Sequence, residues 1–192
     1  MKTYDLIVRR RTIRKYRENK EIPQEIMDKL LNAARLAPSA SNLQPLKYMV
    51  IQGKEEREKM FGCTKWAGYL PPELGTPKEG ERPAAYILIL ADLEIRKMGY
   101  DIDIGAAAQN ITLTALEEGI ASCWIGALDR EKIRKLFELS DTHYPSLVIA
   151  LGYPAEESME EPARDSIKYY KDEKGVLHVP KRSLEEILVR RC

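Results

Sequence analysis

The chain has 192 residues, of which 44% are hydrophobic and 32% charged; 31 Lys and Arg against 30 Asp and Glu leave a formal net charge of +1. At roughly 150 residues per domain this is one domain, and the apolar content excludes a disordered chain. The even charge balance argues against a protein that coats nucleic acid, which needs a basic excess.

No apolar run approaches the ~20 residues that span a bilayer. The longest, Ala84-Ala-Tyr-Ile-Leu-Ile-Leu-Ala91, suits a buried strand. The first ten residues lack a signal-peptide core, because charge returns after Leu6-Ile-Val8. No membrane partner is expected, and a cytoplasmic location follows. Cys63, Cys123 and Cys192 are far apart and form no CxxC, so neither a disulfide framework nor a metal site is expected. Two histidines, His143 and His178, leave little room for a His-based nucleophile design. An enzyme of this composition would lean on a bound cofactor for its chemistry.

In chain order, residues 3–10 read as a short helix capped by Thr3. A second helix covers 24–37, opened by Pro23, with Ile26, Leu30, Ala33, Ala34 and Ala37 at helical spacing. Residues 38–45 hold small and amide side chains between two prolines and read as a loop. A strand at 48–51 and a Glu/Lys-rich helix at 54–61 follow. Residues 62–83 have no clear periodicity and read as a lid or binding loop. Residues 85–91 form a strand without polar alternation, so both faces are covered. The longest helix spans 99–118 and stops at Gly119. A strand at 121–126, a helix capped by Asp129 and reaching 138, and a strand at 145–152 complete the core. Ser183-Leu-Glu-Glu186 is a capping box. This order predicts a single three-layer domain over 1–192, with helices around a central sheet.

Four constellations carry possible chemistry. Arg9, Arg10, Arg11 and Arg14, with Thr12, suit an anion with several oxygens, or else form a solvated basic turn. Ser39, Ser41, Asn42 and Gln44 can read a heteroaromatic edge or a chain of hydroxyls, or else cap a connector. Gly126 ends a strand, where its backbone can approach a ligand closely or simply turn. Lys181 and Arg182 precede a helix, as phosphate ligands or as a surface pair.

Taken together these motifs resemble the nitroreductase family of FMN-dependent oxidoreductases. Arg10-Arg-Thr-Ile-Arg14 resembles its Arg-Arg-Ser-x-Arg motif. Pro38-Ser-Ala-Ser-Asn-Leu-Gln-Pro45 resembles its Pro-Ser-x-x-Asn-x-Gln-Pro loop, and Gly105-Ala-Ala-Ala-Gln-Asn110 the start of its central helix. Cys123-Trp-Ile-Gly126, Leu151-Gly-Tyr-Pro154 and Lys181-Arg-Ser-Leu-Glu-Glu186 resemble later landmarks. Leu46 departs from the pattern, since many relatives have Trp there.

The resemblance implies an α+β, three-layer α/β/α fold with a mainly antiparallel sheet, and a homodimer with FMN at its interface. Arg10, Arg11, Thr12 and Arg14 would hold the phosphate and ribityl end, joined by Lys181 and Arg182. Pro38, Ser39, Ala40, Asn42 and Gln44 would approach from the other chain. Ile125 and Gly126 would set backbone groups against the flavin N5 region. The implied reaction is ping-pong: NAD(P)H gives a hydride to FMN, and a small electron-poor acceptor such as a nitroaromatic or quinone takes it. No side chain is needed as acid, base or nucleophile, so no catalytic residue is assigned. Trp66 and Tyr69 are candidate substrate contacts, as part of a lid or of a hydrophobic plug with Cys63 and Leu70. Alternatives are a specialised flavoenzyme of the same fold, of dehalogenase or flavin-fragmenting type, and a flavin-binding protein that does not turn over.

Overall fold

Strand β2 (Ala85–Asp92) is buried along its whole length, as its unbroken apolar run dictates. Its alternating side chains build two cores. Ile87 and Ile89 face helices α2 (Gln24–Arg35) and α5 (Asp101–Glu117), meeting Met27, Leu30, Ala107, Ala108 and Ile111. Tyr86, Leu88 and Leu90 face the opposite layer, with Met60 from α3 (Lys54–Phe61) and Ile133 from α6 (Arg130–Leu136). The result is the expected α/β/α sandwich. The computed structural model describes residues 2–192.

The central sheet has the order β1-β2-β4-β3, and every neighbouring pair is antiparallel. In β1 (Leu46–Ile51), Leu46 stands opposite Ala91 and Ile51 opposite Tyr86. In β4 (His143–Gly152) a bulge falls opposite Ile89/Leu90 of β2. In β3 (Ala121–Ile125), Ala121 stands opposite Gly152 and Ile125 opposite Val148. Beyond β3 the chain at Thr12 makes a parallel bridge to Ser122, and the Ile13 amide donates to the Ser122 carbonyl at 3.1 Å. The basic motif thus lies as a strap along the outer edge of β3.

Small residues let α5 lie close to α2, where the Asn110 side chain donates to the Ala33 carbonyl at 3.0 Å. Gly119 ends α5 at φ 73°, a conformation glycine adopts without strain. Asp129 caps α6 by accepting from the Lys132 amide at 3.1 Å. The capping box opens α7 (Leu184–Ile187): the Ser183 side chain accepts from the Glu186 amide, and Glu186 accepts from the Ser183 amide.

Several boundaries differ from the sequence reading. Helix α1 is Thr3–Arg9, and Lys2, not Thr3, is its N-cap, with the Lys2 amide held by Asp5. Helix α2 stops at Arg35, because Pro38 holds the residues before it away from helical continuation. Helix α5 starts at Asp101, since Gly99 turns the chain at φ 73°. β4 extends two residues earlier, to His143, to match the length of β2. Residues 62–83 contain one short helix, α4 (Pro72–Gly75). A small second sheet was not anticipated: β5 (Ser158–Pro162) runs parallel to β7 (Leu177–Lys181), and β6 (Tyr170–Lys171) pairs antiparallel to β7. Among the described residues no helix is long and apolar enough to cross a membrane.

Candidate functional site

The strap is fixed from below by one carboxylate. Glu156 Oε1 accepts from the backbone amides of Arg14 at 2.6 Å and Lys15 at 3.2 Å, and Oε2 pairs with Lys171 at 2.6 Å. Both side chains of that pair are almost fully buried. A buried carboxylate needs such full satisfaction, so this clamp is well determined. Tyr16, also buried, donates its hydroxyl to the Ile13 carbonyl at 2.5 Å.

Arg10 is half-buried, and among the described residues its guanidinium has neither a hydrogen-bond nor an ion-pair partner. Burial lowers its pKa, and the neighbouring Arg11 charge lowers it further. Arg11 is turned toward Glu160 at 2.6 Å and donates to the Arg10 carbonyl at 2.5 Å. Its Nε, like Ser158 Oγ, is buried without a partner. Arg9, Arg10 and Arg11 line a cleft of about 440 Å³ together with Ser122, Glu156 and Ser158. Thr12 forms the bridge to Ser122.

Arg14 opens onto a different, smaller cleft of about 190 Å³, with Trp66, Cys123, Ile125, Gly126 and Tyr169. The structure therefore brings Arg14 to Ile125 and Gly126, and adds Tyr169. The Arg14 guanidinium lies 4.8 Å over the Tyr169 ring. Nothing in the sequence singles out Tyr169; its contacts come from distant segments. Cys123 also lines this cleft, but burial pushes its thiol up to about 11, and burial likewise raises Cys63. Neither is an activated nucleophile.

The 62–70 segment divides between the two roles foreseen for it. Cys63 is buried as a plug, while Trp66 packs on Phe61 with ring centres 5.8 Å apart and still lines the cleft. Tyr69 is 55% exposed and meets Tyr169, so this part stands at the mouth of the cleft. Ala67, at φ 41°, makes the turn between them.

The 38–45 loop is held by Asp103, a buried acid in the first turn of α5. Asp103 accepts from the Ser39 hydroxyl at 2.8 Å and from the Ala40 amide at 3.3 Å. Ser39 Oγ also accepts from the Gln44 amide at 2.9 Å. Ser41, Asn42 and Gln44 have φ of 53°, 54° and 52°, a region that residues other than glycine rarely visit. Such backbone persists where surrounding contacts over-determine it, and it clusters at ligand sites. Pro38, Ser39 and Gln44 line a cleft of about 240 Å³ with Tyr48 and Asp103; Ala40 and Asn42 do not line it. This cleft shares no residue with the two arginine clefts, so a single chain does not join the loop to the strap. Lys181 and Arg182 are exposed at the end of β7, where the Lys181 carbonyl accepts from the Ala163 amide at 2.7 Å. They line none of these clefts.

An antiparallel sheet between helical layers, edged by an arginine strap and flanked by an amide-rich loop with left-handed backbone, defines an α+β protein. The Nitroreductase family model matches residues 7–153, and the chain belongs to that family. A protein of Archaeoglobus fulgidus named as an NADH dehydrogenase/NAD(P)H nitroreductase is 35% identical over 159 residues, covering 79% of this chain and 85% of its own. A protein of the same name from Methanothermobacter thermautotrophicus is 35% identical over 162 residues, covering 81% and 79%. Among solved structures, an FMN-dependent nitroreductase from Clostridium difficile R20291 superposes with a TM-score of 0.68 at 29% identity, covering 83% of this chain and 91% of that one.

Proposed function

We propose that this protein is an FMN-dependent oxidoreductase that takes a hydride from NAD(P)H and delivers it to a small electron-poor acceptor such as a nitroaromatic or quinone, working as a homodimer. The observation that carries the reading is Arg10. A half-buried cation with no partner among the described residues, beside a second cation, is unfavourable until an anion joins it. The unpartnered Arg11 Nε and Ser158 Oγ add donors at the same cleft, and this set fits a phosphate dianion. The names of the two archaeal relatives and of the solved nitroreductase support the donor and the cofactor.

FMN, when bound, supplies the hydride chemistry. The chain's residues bind and orient. Arg10, Arg11 and Thr12 would hold the phosphate end, and Lys181 and Arg182, which line neither arginine cleft of the single chain, would join them there from the C-terminal segment. Arg14 would hold the ribityl end. The backbone at Ile125 and Gly126 presents polar groups to the ring edge, where fixed dipoles stabilise developing charge at no reorganisation cost. Pro38, Ser39, Ala40, Asn42 and Gln44 of a second copy complete the site. The 38–45 loop, already locked on Asp103, arrives pre-ordered.

The test is the visible spectrum of the purified protein before and after anaerobic NADH or NADPH. A flavin spectrum that bleaches and returns on adding a quinone or nitroarene is expected. A flavin that no nicotinamide bleaches would instead indicate a flavin-binding protein without this activity. Failure to take up FMN at all would remove the reading.

A further inference from the structure

Resting on that reading, the small cleft points to a class of acceptor. Tyr69 and Tyr169 meet at its mouth with ring centres 5.0 Å apart and planes tilted 51°. The Tyr69 amide donates to the Tyr169 hydroxyl at 3.3 Å, near the limit of a hydrogen bond. Tyr69 is largely exposed, so this contact can part at little cost. The Arg14 guanidinium lies 4.8 Å over the Tyr169 ring.

Charge at this mouth has one sign. No acidic side chain lines the cleft, whereas Arg14 and Lys65 do. Lys168 stands 5.9 Å from the Tyr69 ring centre. Among the described residues neither Lys65 nor Lys168 has a carboxylate partner. Glu156, the acid that holds the strap at Arg14, is already spent on Lys171 and two backbone amides. Aromatic walls favour a flat ring, and unpaired ammonium groups at the rim favour a negative substituent on it.

We propose that the cleft mouth is an acceptor subsite for a flat aromatic that carries a carboxylate or similar anion, with Tyr69 and Tyr169 as its walls and Lys65 and Lys168 as its charge partners. Tyr169 also positions Arg14, whose guanidinium lies over its ring. Lys65 and Lys168 are exposed, so the charge contribution is that of a surface ion pair, about threefold to fivefold in affinity at low salt.

The test uses the FMN-loaded protein and two ligands that cannot be reduced, naphthalene-2-carboxylate and naphthalene-2-carboxamide. Their dissociation constants are read by calorimetry and by perturbation of the flavin absorption. The carboxylate is expected to bind about threefold to fivefold more tightly, with the preference lost in high salt and in the double variant K65Q/K168Q. Replacement Y169L is expected to weaken both ligands alike, and Y169F, which keeps the ring, to restore them. Equal binding of the two ligands by the native protein overturns the proposal. So does a preference that survives the lysine substitutions. If K65Q/K168Q raises KM for NAD(P)H and leaves the ligand pair untouched, the lysines serve the donor's phosphates and the proposal is wrong. A protein that takes up no FMN overturns the underlying reading, which is a different result from FMN-loaded protein that fails to discriminate.

Discussion

At the scale of single residues, Arg10 sets function against stability. Its guanidinium is partly desolvated, unpaired among the described residues and beside Arg11, so its charge disfavours the fold of the free protein. The same charge is what a phosphate needs. Replacement Arg10→Met keeps much of the packing of the side-chain stem and removes the cation. FMN affinity is expected to fall about 10- to 100-fold, the scale of one or two charge-assisted hydrogen bonds. Thermal stability of the FMN-free protein is expected to hold or rise. Equilibrium titration with FMN and melting of the apoprotein check the two halves. A variant that melts earlier and binds FMN as before would show that Arg10 is an ordinary structural cation. Arg11 differs, because Glu160 already neutralises it, so its replacement should cost less affinity than that of Arg10.

Among the elements, the small C-terminal sheet carries a pH-sensitive contact. His178 on β7 sits between two carboxylates, Glu161 of β5 at 2.9 Å and Asp172 beyond β6 at 3.3 Å. Tyr170 of β6 stacks on its ring at 4.8 Å and donates its hydroxyl to Glu161, and Arg164 bears on Glu161 from the connecting segment. The hydrogen bond to Glu161 raises the His178 pKa above 6.5, and Asp172 adds to it. A raised folded-state value means that the contribution is complete below the unfolded value and fades as pH climbs through the folded one. Hydrogen exchange at β7 amides should therefore quicken above neutral pH beyond the intrinsic base-catalysed rise, and His178→Gln should abolish that extra step. An imidazole resonance titrating at or below 6.5 would show that the carboxylates do not hold it. This sheet was also the least legible element. Pro162 and Pro180 interrupt its strands, and Glu160, Glu161 and Lys181 blur the alternation that reveals a strand. By contrast β2 and α5 were legible, because an unbroken apolar run and a line of small residues each have one simple reading. The arginine strap and the 38–45 loop were readable as candidate site residues. Asp103 was not, since an acid in a helix's first turn is ordinarily explained by the dipole. Nor was Tyr169, whose partner Tyr69 lies 100 residues away.

For the whole molecule, the loop and the strap pose a question of assembly. Each is well ordered, yet one chain places them in separate clefts. Large apolar side chains also remain in solvent. Tyr4, Ile7 and Val8 are exposed on α1, Met98 and Ile102 near the start of α5, and Leu184, Ile187 and Val189 around α7. Ile102 is 83% exposed, an unfavourable position for an isoleucine unless another surface covers it. A homodimer that buries these side chains and lays the loop of one copy over the strap of the other accounts for both features. Mixing two defective subunits tests this directly. One carries Arg10→Met and Arg14→Met; the other carries Asn42→Ala and Gln44→Ala. Each homodimer would have two damaged sites. In the mixed dimer one site collects all four substitutions and the other collects none. Co-expression or exchange of subunits should therefore restore tight FMN binding at one site per mixed dimer, with bleaching by NAD(P)H restored in proportion. If mixing restores nothing while sedimentation shows that mixed dimers form, strap and loop belong to different ligands, and the shared site is excluded.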